Sequence, residues 1–255
     1  MSPRLVCLDV DGTVTDGVMG PALPGAVDAL RRLRARHPVR LVSNTTSIAH
    51  RLLAGRLMEQ GLLDEPTSLV TPATSARRIL IARGHDSGLL LVEPGAREDY
   101  DWFREEPRGA AVVLATEGLG LSIRDLQPAF RRLLEGAAFY TLQRNRYFRR
   151  DSQLVTDLGP VAAFLGYASG REAETVGKPS PLLFDAIAQE AGVAREALAM
   201  VGDDAEFDVA ASVAMGMAGV LVRTGKYRAG DEDRVAPRPT AVLESIAALP
   251  DWLET

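Results

Sequence analysis

Leu5-Val-Cys-Leu-Asp-Val-Asp-Gly-Thr-Val14 is the stretch that decides how this chain folds. The apolar run Leu5 to Leu8 ends at Asp9, Asp11 and Gly12, and a short run closed in this way reads as a buried strand of a parallel sheet. Open α/β sheets bind ligands at the carboxyl ends of their strands, which is where the two carboxylates fall. Residues two apart on a strand point the same way, so Asp9 and Asp11 can converge. Two carboxylates about 4 Å apart repel by roughly 4 kcal/mol at an effective dielectric of 20. Such a pair persists where a cation lies between them or one of them holds a proton. An Asp-Gly turn accounts for Asp11-Gly12-Thr13, but not for a second Asp on a buried apolar strand. A calcium loop of the EF-hand type needs its glycine at the sixth position; Gly12 is the fourth counted from Asp9.

The rest of the composition is ordinary for a globular protein. The chain has 255 residues, enough for a core and an insert, with 46% hydrophobic and 25% charged residues. The net charge of −5, with both signs interspersed, argues against nucleic acid or an anionic membrane as a partner. A single cysteine, Cys7, allows no intramolecular disulfide and fits a reducing, cytoplasmic compartment. Met-Ser-Pro-Arg runs directly into the strand, so no secretory signal is expected, and no apolar run approaches the ~20 residues of a membrane span. His37, His50 and His85 are isolated, without metal-ligand spacing, and read as surface or helix-end residues.

Outward from the first strand, Pro24-Gly25 opens a helix with Val27, Leu30 and Leu33 on its apolar stripe, ended by His37-Pro38. Val39 to Val42 is a second strand, which makes a β-α-β unit with parallel strands. It stops at Ser43-Asn-Thr-Thr-Ser47, which should open the next helix, either as N-caps or as hydroxyls and amides presented to an anion. That helix runs to about Gln60, with Gly61 after it. A strand at 68–71 and a helix from Pro72 to about Arg83 follow. The pattern changes there, with strands expected at 88–92, 110–115 and 138–143 and helices near 95–103 and 122–135. Residues 84–176 therefore read as an inserted α/β domain, between a first core segment, 1–83, and a second, 177–255. Gly118-Leu-Gly120 lacks the third glycine of a dinucleotide fingerprint and follows its strand too late. Arg144-Asn-Arg-Tyr-Phe-Arg-Arg150 is a dense basic and aromatic patch, most simply a solvated hairpin. Helices are expected at 158–168 and from Pro181, the latter preceded by Lys178 in a Gly-Lys-Pro turn, ordinarily a solvent position. Leu198 to Val201 is another apolar strand. It ends in Gly202-Asp-Asp-Ala-Glu-Phe-Asp208, where Asp204 and Glu206 suit a helix N-terminus but Asp203 is less simply explained. A helix to about Met215, a strand at 220–223 and a final helix near 240–249 complete the pattern.

Asp9-Val-Asp-Gly-Thr13, Ser43-Asn44, Gly177-Lys-Pro179 and Gly202-Asp-Asp…Asp208 thus stand at strand ends or turns. In this order and spacing they resemble the four motifs of the haloacid dehalogenase superfamily of phosphotransferases, and the likeness spans essentially the whole chain. The insert between the second and third motifs is similar to the branch with the larger α/β (type IIA) cap. Val176-Gly-Lys-Pro-Ser-Pro181 and Val222-Arg-Thr-Gly-Lys-Tyr227 look most like the phospholysine phosphohistidine inorganic pyrophosphate phosphatases. Phosphoglycolate/pyridoxal phosphate phosphatases and nucleotidases of the same branch are close behind.

The resemblance implies a doubly wound, Rossmann-like parallel sheet carrying a cap. It also implies a Mg²⁺-dependent phosphatase acting on a small phosphorylated metabolite through an aspartyl-phosphate. Asp9 would be the nucleophile and Asp11 the general acid and base. Mg²⁺ would be held by the Asp9 side chain, the Asp11 backbone carbonyl and Asp203, with Asp204 and Asp208 orienting that shell. Ser43, Asn44 and Lys178 would hold the phosphate oxygens. Arg144, Asn145, Arg146 and Tyr147 would meet the rest of the substrate; this loop departs from the Thr-Asn-Pro-Asp pattern of many relatives, so their substrates do not transfer. A phosphotransferase with an acceptor other than water, or a non-catalytic phosphate-binding member of the fold, is the alternative reading. Intact Asp9, Asp11, Lys178 and Asp203 argue against the latter. A homodimer is compatible with all of these readings.

Overall fold

The stretch Leu5–Asp9 is a strand buried along its whole length. It belongs to a computed structural model that describes residues 3–116, 120–150 and 153–254. Met1 and Ser2 of the N-terminus and Gly118-Leu119 of the glycine fragment lie outside the described residues, as do the side chains of Phe148, Arg149 and Arg150. In chain order the strands are β1 (Leu5–Asp9), β2 (Val39–Val42), β3 (Leu69–Val70), β4 (Ser87–Val92), β5 (Arg104–Glu105), β6 (Ala111–Ala115), β7 (Ala138–Thr141), β8 (Tyr147–Arg150), β9 (Gln153–Thr156), β10 (Glu174–Thr175), β11 (Leu198–Gly202), β12 (Ala218–Val222) and β13 (Ala241–Leu243). They fall into two compact units: Met1–Ser43 with Arg51–Val70 and Pro181–Thr255, and Asn44–His50 with Thr71–Ser180.

The first unit is built on a six-stranded sheet in the order β13-β12-β11-β1-β2-β3. All its pairings are parallel. The central strands read as uninterrupted apolar runs because both of their faces are covered. Leu5, Cys7, Leu198 and Met200 form a cluster with Leu183, Phe184, Ile187 and Ala188 of the helix Pro181–Ala191. Phe184 is wholly buried, and truncating a side chain of that size in a core costs about 3–5 kcal/mol. Leu8 of β1 lies beside Val201 of β11. The two strands therefore end in step, at Asp9 and Gly202.

The second unit holds a five-stranded parallel sheet, order β10-β7-β6-β4-β5, and the antiparallel hairpin β8–β9. The fold class expected from the sequence, parallel α/β with an α/β insert, is therefore the observed one. A capping box between Thr71 and Thr74 starts the helix Pro72–Ala82. Its far end is tied down by Arg83, which bonds Glu174 and the Tyr140 hydroxyl. His85, expected at the surface or a helix end, follows the end of this helix and places Nδ1 2.7 Å from that same hydroxyl. Among the described residues no helix is long and apolar enough to cross a membrane.

Four local expectations are corrected. Residues near 240–249 do not form one helix. Ala241–Leu243 is β13, parallel to β12, followed by a 3₁₀ turn, Ile246–Ala248, and a short helix, Leu249–Leu253. The edge backbone of β12 needs partners, and a three-residue strand is too short to show its period in sequence. The cluster 43–47 does not open a helix, because the next helix begins at His50. Val27 is exposed, the buried stripe of its helix being Ala26, Ala29, Leu30 and Leu33. The helix expected from 122 begins only at Gln127.

Candidate active site

Two acidic strand ends build the site. Asp9 closes β1, and Asp203 follows directly on β11, whose register with β1 brings the two ends side by side. Asp208 comes from the single π-helical turn Ala205–Ala210 that follows, a local irregularity typical of functional positions. Asp9, Asp203 and Asp208 are all buried, and each offers an oxygen within 4.8 Å of the others. A methyl group at Gly202 would run into the Asp208 carboxylate, so that glycine is what lets Asp208 fold over the strand end.

Three carboxylates in so small a volume are unfavourable unless something compensates. The effect falls on Asp203, whose carboxyl is pushed up to about 8, first by burial and then by the charges of Asp9 and Asp208. Asp203 Oδ2 accepts a hydrogen bond from the Lys226 backbone N–H at 2.6 Å. Its Oδ1 is buried and has no partner among the described residues. A buried carboxylate oxygen without a donor, next to two further carboxylates, is the donor set of a hard divalent cation. The residues present fit Mg²⁺ on that ground.

Around the trio the chain is tightly turned. Gly12 has φ +84° and donates its N–H to the Thr15 carbonyl at 2.8 Å. The Val10 carbonyl accepts from the Thr15 hydroxyl and from the backbone N–H groups of Val14 and Thr15, all at 3.0 Å. Asp11 sits in this turn, opposite Thr15 and outside the buried trio. Asp204 turns away to cap the π turn, accepting from the N–H groups of Glu206 and Phe207. The plain helix-start reading therefore holds for Asp204, although its carboxylate also lies 3.7 Å from the Lys226 ammonium.

Ser43 is buried just past β2, its N–H held by the Val70 carbonyl at 3.0 Å. In the second unit Asn44 and Lys178 are brought together across 134 residues. The Asn44 Nδ2 donates to the Lys178 carbonyl and the Lys178 N–H donates to Asn44 Oδ1, both at 2.9 Å. The Asn44 side chain is thus tied to the Lys178 backbone through both its oxygen and its nitrogen. Lys178 is only 3% exposed, too deep for the solvent lysine that its turn suggested.

Arg144, Asn145 and Arg146 lie between β7 and β8, and Tyr147 is the first residue of β8. The backbone there is stapled on three sides. Asn145 N–H donates to Gln143 Oε1, and the Asn145 and Arg146 carbonyls accept from the N–H groups of Gly159 and Asp157. Gln143 Nε2 in turn donates to Asp157. Arg144 is half exposed and faces Glu172 at 3.7 Å, while Tyr147 is exposed. Sequence reasoning missed Gln143 and Asp157, as well as Thr224, whose hydroxyl donates to the Gly12 carbonyl at 2.6 Å. The first two lie outside the basic run 144–150, and Thr224 stands in Val222-Arg-Thr-Gly-Lys-Tyr227, a stretch whose likeness to the family does not reveal a bond to Gly12.

The sequence pattern of the haloacid dehalogenase-like hydrolases matches residues 6–102, and a second pattern, HAD-hydrolase-like, matches 175–249. The Bos taurus phospholysine phosphohistidine inorganic pyrophosphate phosphatase is 36% identical over 98% of this chain and 94% of its own. This chain belongs to the haloacid dehalogenase-like hydrolases. A second member of the family, the Bos taurus haloacid dehalogenase-like hydrolase domain-containing protein 2, is also 36% identical, over 95% of this chain and 93% of its own. The crystal structure of a 4-nitrophenylphosphatase from Thermotoga maritima superposes with a TM-score of 0.88 at 25% identity, covering 98% of this chain and 97% of that one. Membership makes the chain a hydrolase.

Proposed function

We propose that the protein is a Mg²⁺-dependent phosphatase that hydrolyses a small phosphorylated metabolite through an aspartyl-phosphate on Asp9. The observation that carries this reading is the buried trio Asp9, Asp203 and Asp208 with the partnerless Oδ1 of Asp203. The similarity to enzymes named as phosphatases supports it.

Asp9, Asp203 and the Asp11 carbonyl would hold the cation, with Asp208 orienting that shell, while Asp204 caps the turn that carries Asp208. When bound, Mg²⁺ supplies the positive charge that offsets repulsion between these carboxylates and an anionic phosphate. The Asp9 carboxylate attacks phosphorus in line with the leaving oxygen: the Asp9 oxygen–phosphorus bond forms and the ester bond breaks. Asp11 gives its proton to the departing oxygen, then takes one from the water that cleaves the aspartyl-phosphate and releases phosphate. Ser43, the Asn44 backbone and Lys178 supply fixed donors to the non-bridging oxygens in place of solvent. The Asn44 amide serves by holding the Lys178 backbone. In this reading the insert, 84–176, is the cap that selects the substrate through Arg144, Asn145, Arg146 and Tyr147.

The test is a panel of phosphorylated metabolites, pyrophosphate and phosphohistidine, assayed with Mg²⁺ and again with excess chelator after dialysis. Hydrolysis that needs the cation and disappears in Asp9→Asn is the expected result. Full turnover in chelator, or a metal-loaded Asp9→Asn protein with wild-type activity, would refute the reading. Adding alcohol acceptors and following where the phosphate goes separates hydrolysis from transfer.

A further inference from the structure

Three chain segments meet at the Asp203 carboxylate. The first is the turn after β1 and the second is the end of β11. The third is the loop Thr224-Gly225-Lys226, which follows β12 and was not among the expected site residues. Lys226 gives its backbone N–H to Asp203 Oδ2 at 2.6 Å. Thr224 gives its hydroxyl to the Gly12 carbonyl at 2.6 Å, a bond between residues 212 apart in sequence. Gly225 and Gly12 face each other across the same oxygen. Both have positive φ, +58° and +84°, and a methyl on either would run into Asp203 Oδ2 and crowd the other's Cα. The loop follows β12, whose Leu221 is in register with Gly202 of β11, so the sheet itself delivers it to this point.

We propose that Thr224-Gly225-Lys226 is a positioning latch for the cation site. A carboxylate whose Oδ2 is held by a backbone amide and boxed between two glycines cannot rotate to offer both oxygens. It offers Oδ1, the buried atom without a partner. The Thr224 hydroxyl fixes the other side of the gap, because it anchors the Gly12 carbonyl, while the Gly12 N–H, bonded to the Thr15 carbonyl at 2.8 Å, holds the adjoining Asp11-Gly12 peptide. The latch thus sets the separation between the turn after β1 and the Asp203 ligand atom. It touches neither substrate nor cation, and acts only by holding the residues that do. The inference rests on the cation reading above. A loop closure with a merely structural role would make the same hydrogen bonds, so the test separates metal affinity from metal-free stability.

Thr224→Val keeps the shape and removes the donor, while Thr224→Ser keeps the donor. Mg²⁺ affinity is measured for each by calorimetric titration and by the rise in Tm with Mg²⁺ concentration, against the Tm in chelator. Partners that orient metal ligands typically contribute 10–100-fold in affinity. The expected result is Mg²⁺ binding weakened about 10-fold or more in Thr224→Val with little change in its metal-free Tm, and recovery to within about 3-fold of wild type in Thr224→Ser. Gly225→Ala, which presses on Oδ2 directly, should weaken Mg²⁺ binding as well. Thr224→Val with wild-type Mg²⁺ affinity overturns the latch and leaves the phosphatase reading standing. So does Thr224→Ser that fails as badly as Thr224→Val. A wild-type protein that binds no Mg²⁺ by either measurement overturns the cation reading and the latch with it.

Discussion

Each candidate residue was legible to the extent that its neighbours in sequence betray it. Asp9 and Asp203 were, because a carboxylate at the end of an apolar run has no structural excuse. Asp11→Asn should be severely impaired, since an amide cannot give and retrieve a proton. If Asp11 is the general acid, the loss in kcat should shrink as the leaving group improves; a loss equal across a series of aryl phosphates and alkyl phosphates would remove Asp11 from that role. The sequence marks Asn44 as a candidate phosphate contact, and its side chain bonds the Lys178 backbone on both sides. Asn44→Ala should therefore lower kcat/KM by about 1–3 kcal/mol, the scale for leaving buried backbone groups without their partner. The defect should resemble a mild version of Lys178→Met, and in the double variant the two losses should fall short of adding, because both act on one group. Simple additivity would place Asn44 elsewhere. Neither the Asn44–Lys178 pairing nor the Thr224 hydroxyl bond to Gly12 has a local signature, since each joins positions far apart in the chain.

At the scale of elements, the parallel strands were readable because burial on both faces leaves nothing but apolar residues between turn signals. Short elements were not. β13 has three residues and reads equally as the start of a helix, and the Ser43–Ser47 cluster has the composition of a helix start without being one. The loop at 144–147 was visible as a basic patch, but what holds it in shape was not. Gln143 and Asp157 are buried and bonded to each other, and between them they fix the Asn145 and Arg146 backbone. With the backbone fixed there, the Asn145 and Arg146 side chains can select a substrate. Alanine at either should lower kcat/KM for the preferred substrate by about 1–3 kcal/mol while leaving p-nitrophenyl phosphate nearly untouched. Equal losses on both substrates would make the loop structural. Gln143→Ala should impair the preferred substrate as strongly as Asn145→Ala, although Gln143 makes its contacts within the loop.

For the whole molecule, the crowded carboxylates tie stability to pH and to the cation. Asp203 has its folded-state pKa raised to about 8, against roughly 3.9 in an unfolded chain. Between these values the folded form binds the extra proton, so metal-free stability falls as pH rises through that window and levels off above it. Protons compete with the cation for the same oxygens, so stabilisation by Mg²⁺ should grow over the same range. Saturation at about 100 times Kd contributes roughly 2.7 kcal/mol, or about 5–10 °C in Tm for a chain of this size. Melts in chelator and in Mg²⁺ at pH 5.5, 7 and 8.5 measure both slopes; a Mg²⁺ gain that shrinks with rising pH would contradict the assignment. The strand order β13-β12-β11-β1-β2-β3 has a further consequence, in time rather than in space. β1 lies at the centre of its sheet, yet its partner β11 begins at Leu198. While the chain is being synthesised, this buried strand has an unpaired edge until about three quarters of the protein has been made, and pairing so distant in sequence is slow. An exposed apolar edge templates aggregation. Chains arrested before residue 198 should therefore collect in the insoluble fraction or on chaperones, and chains released after Leu243, once the last strand is present, should not.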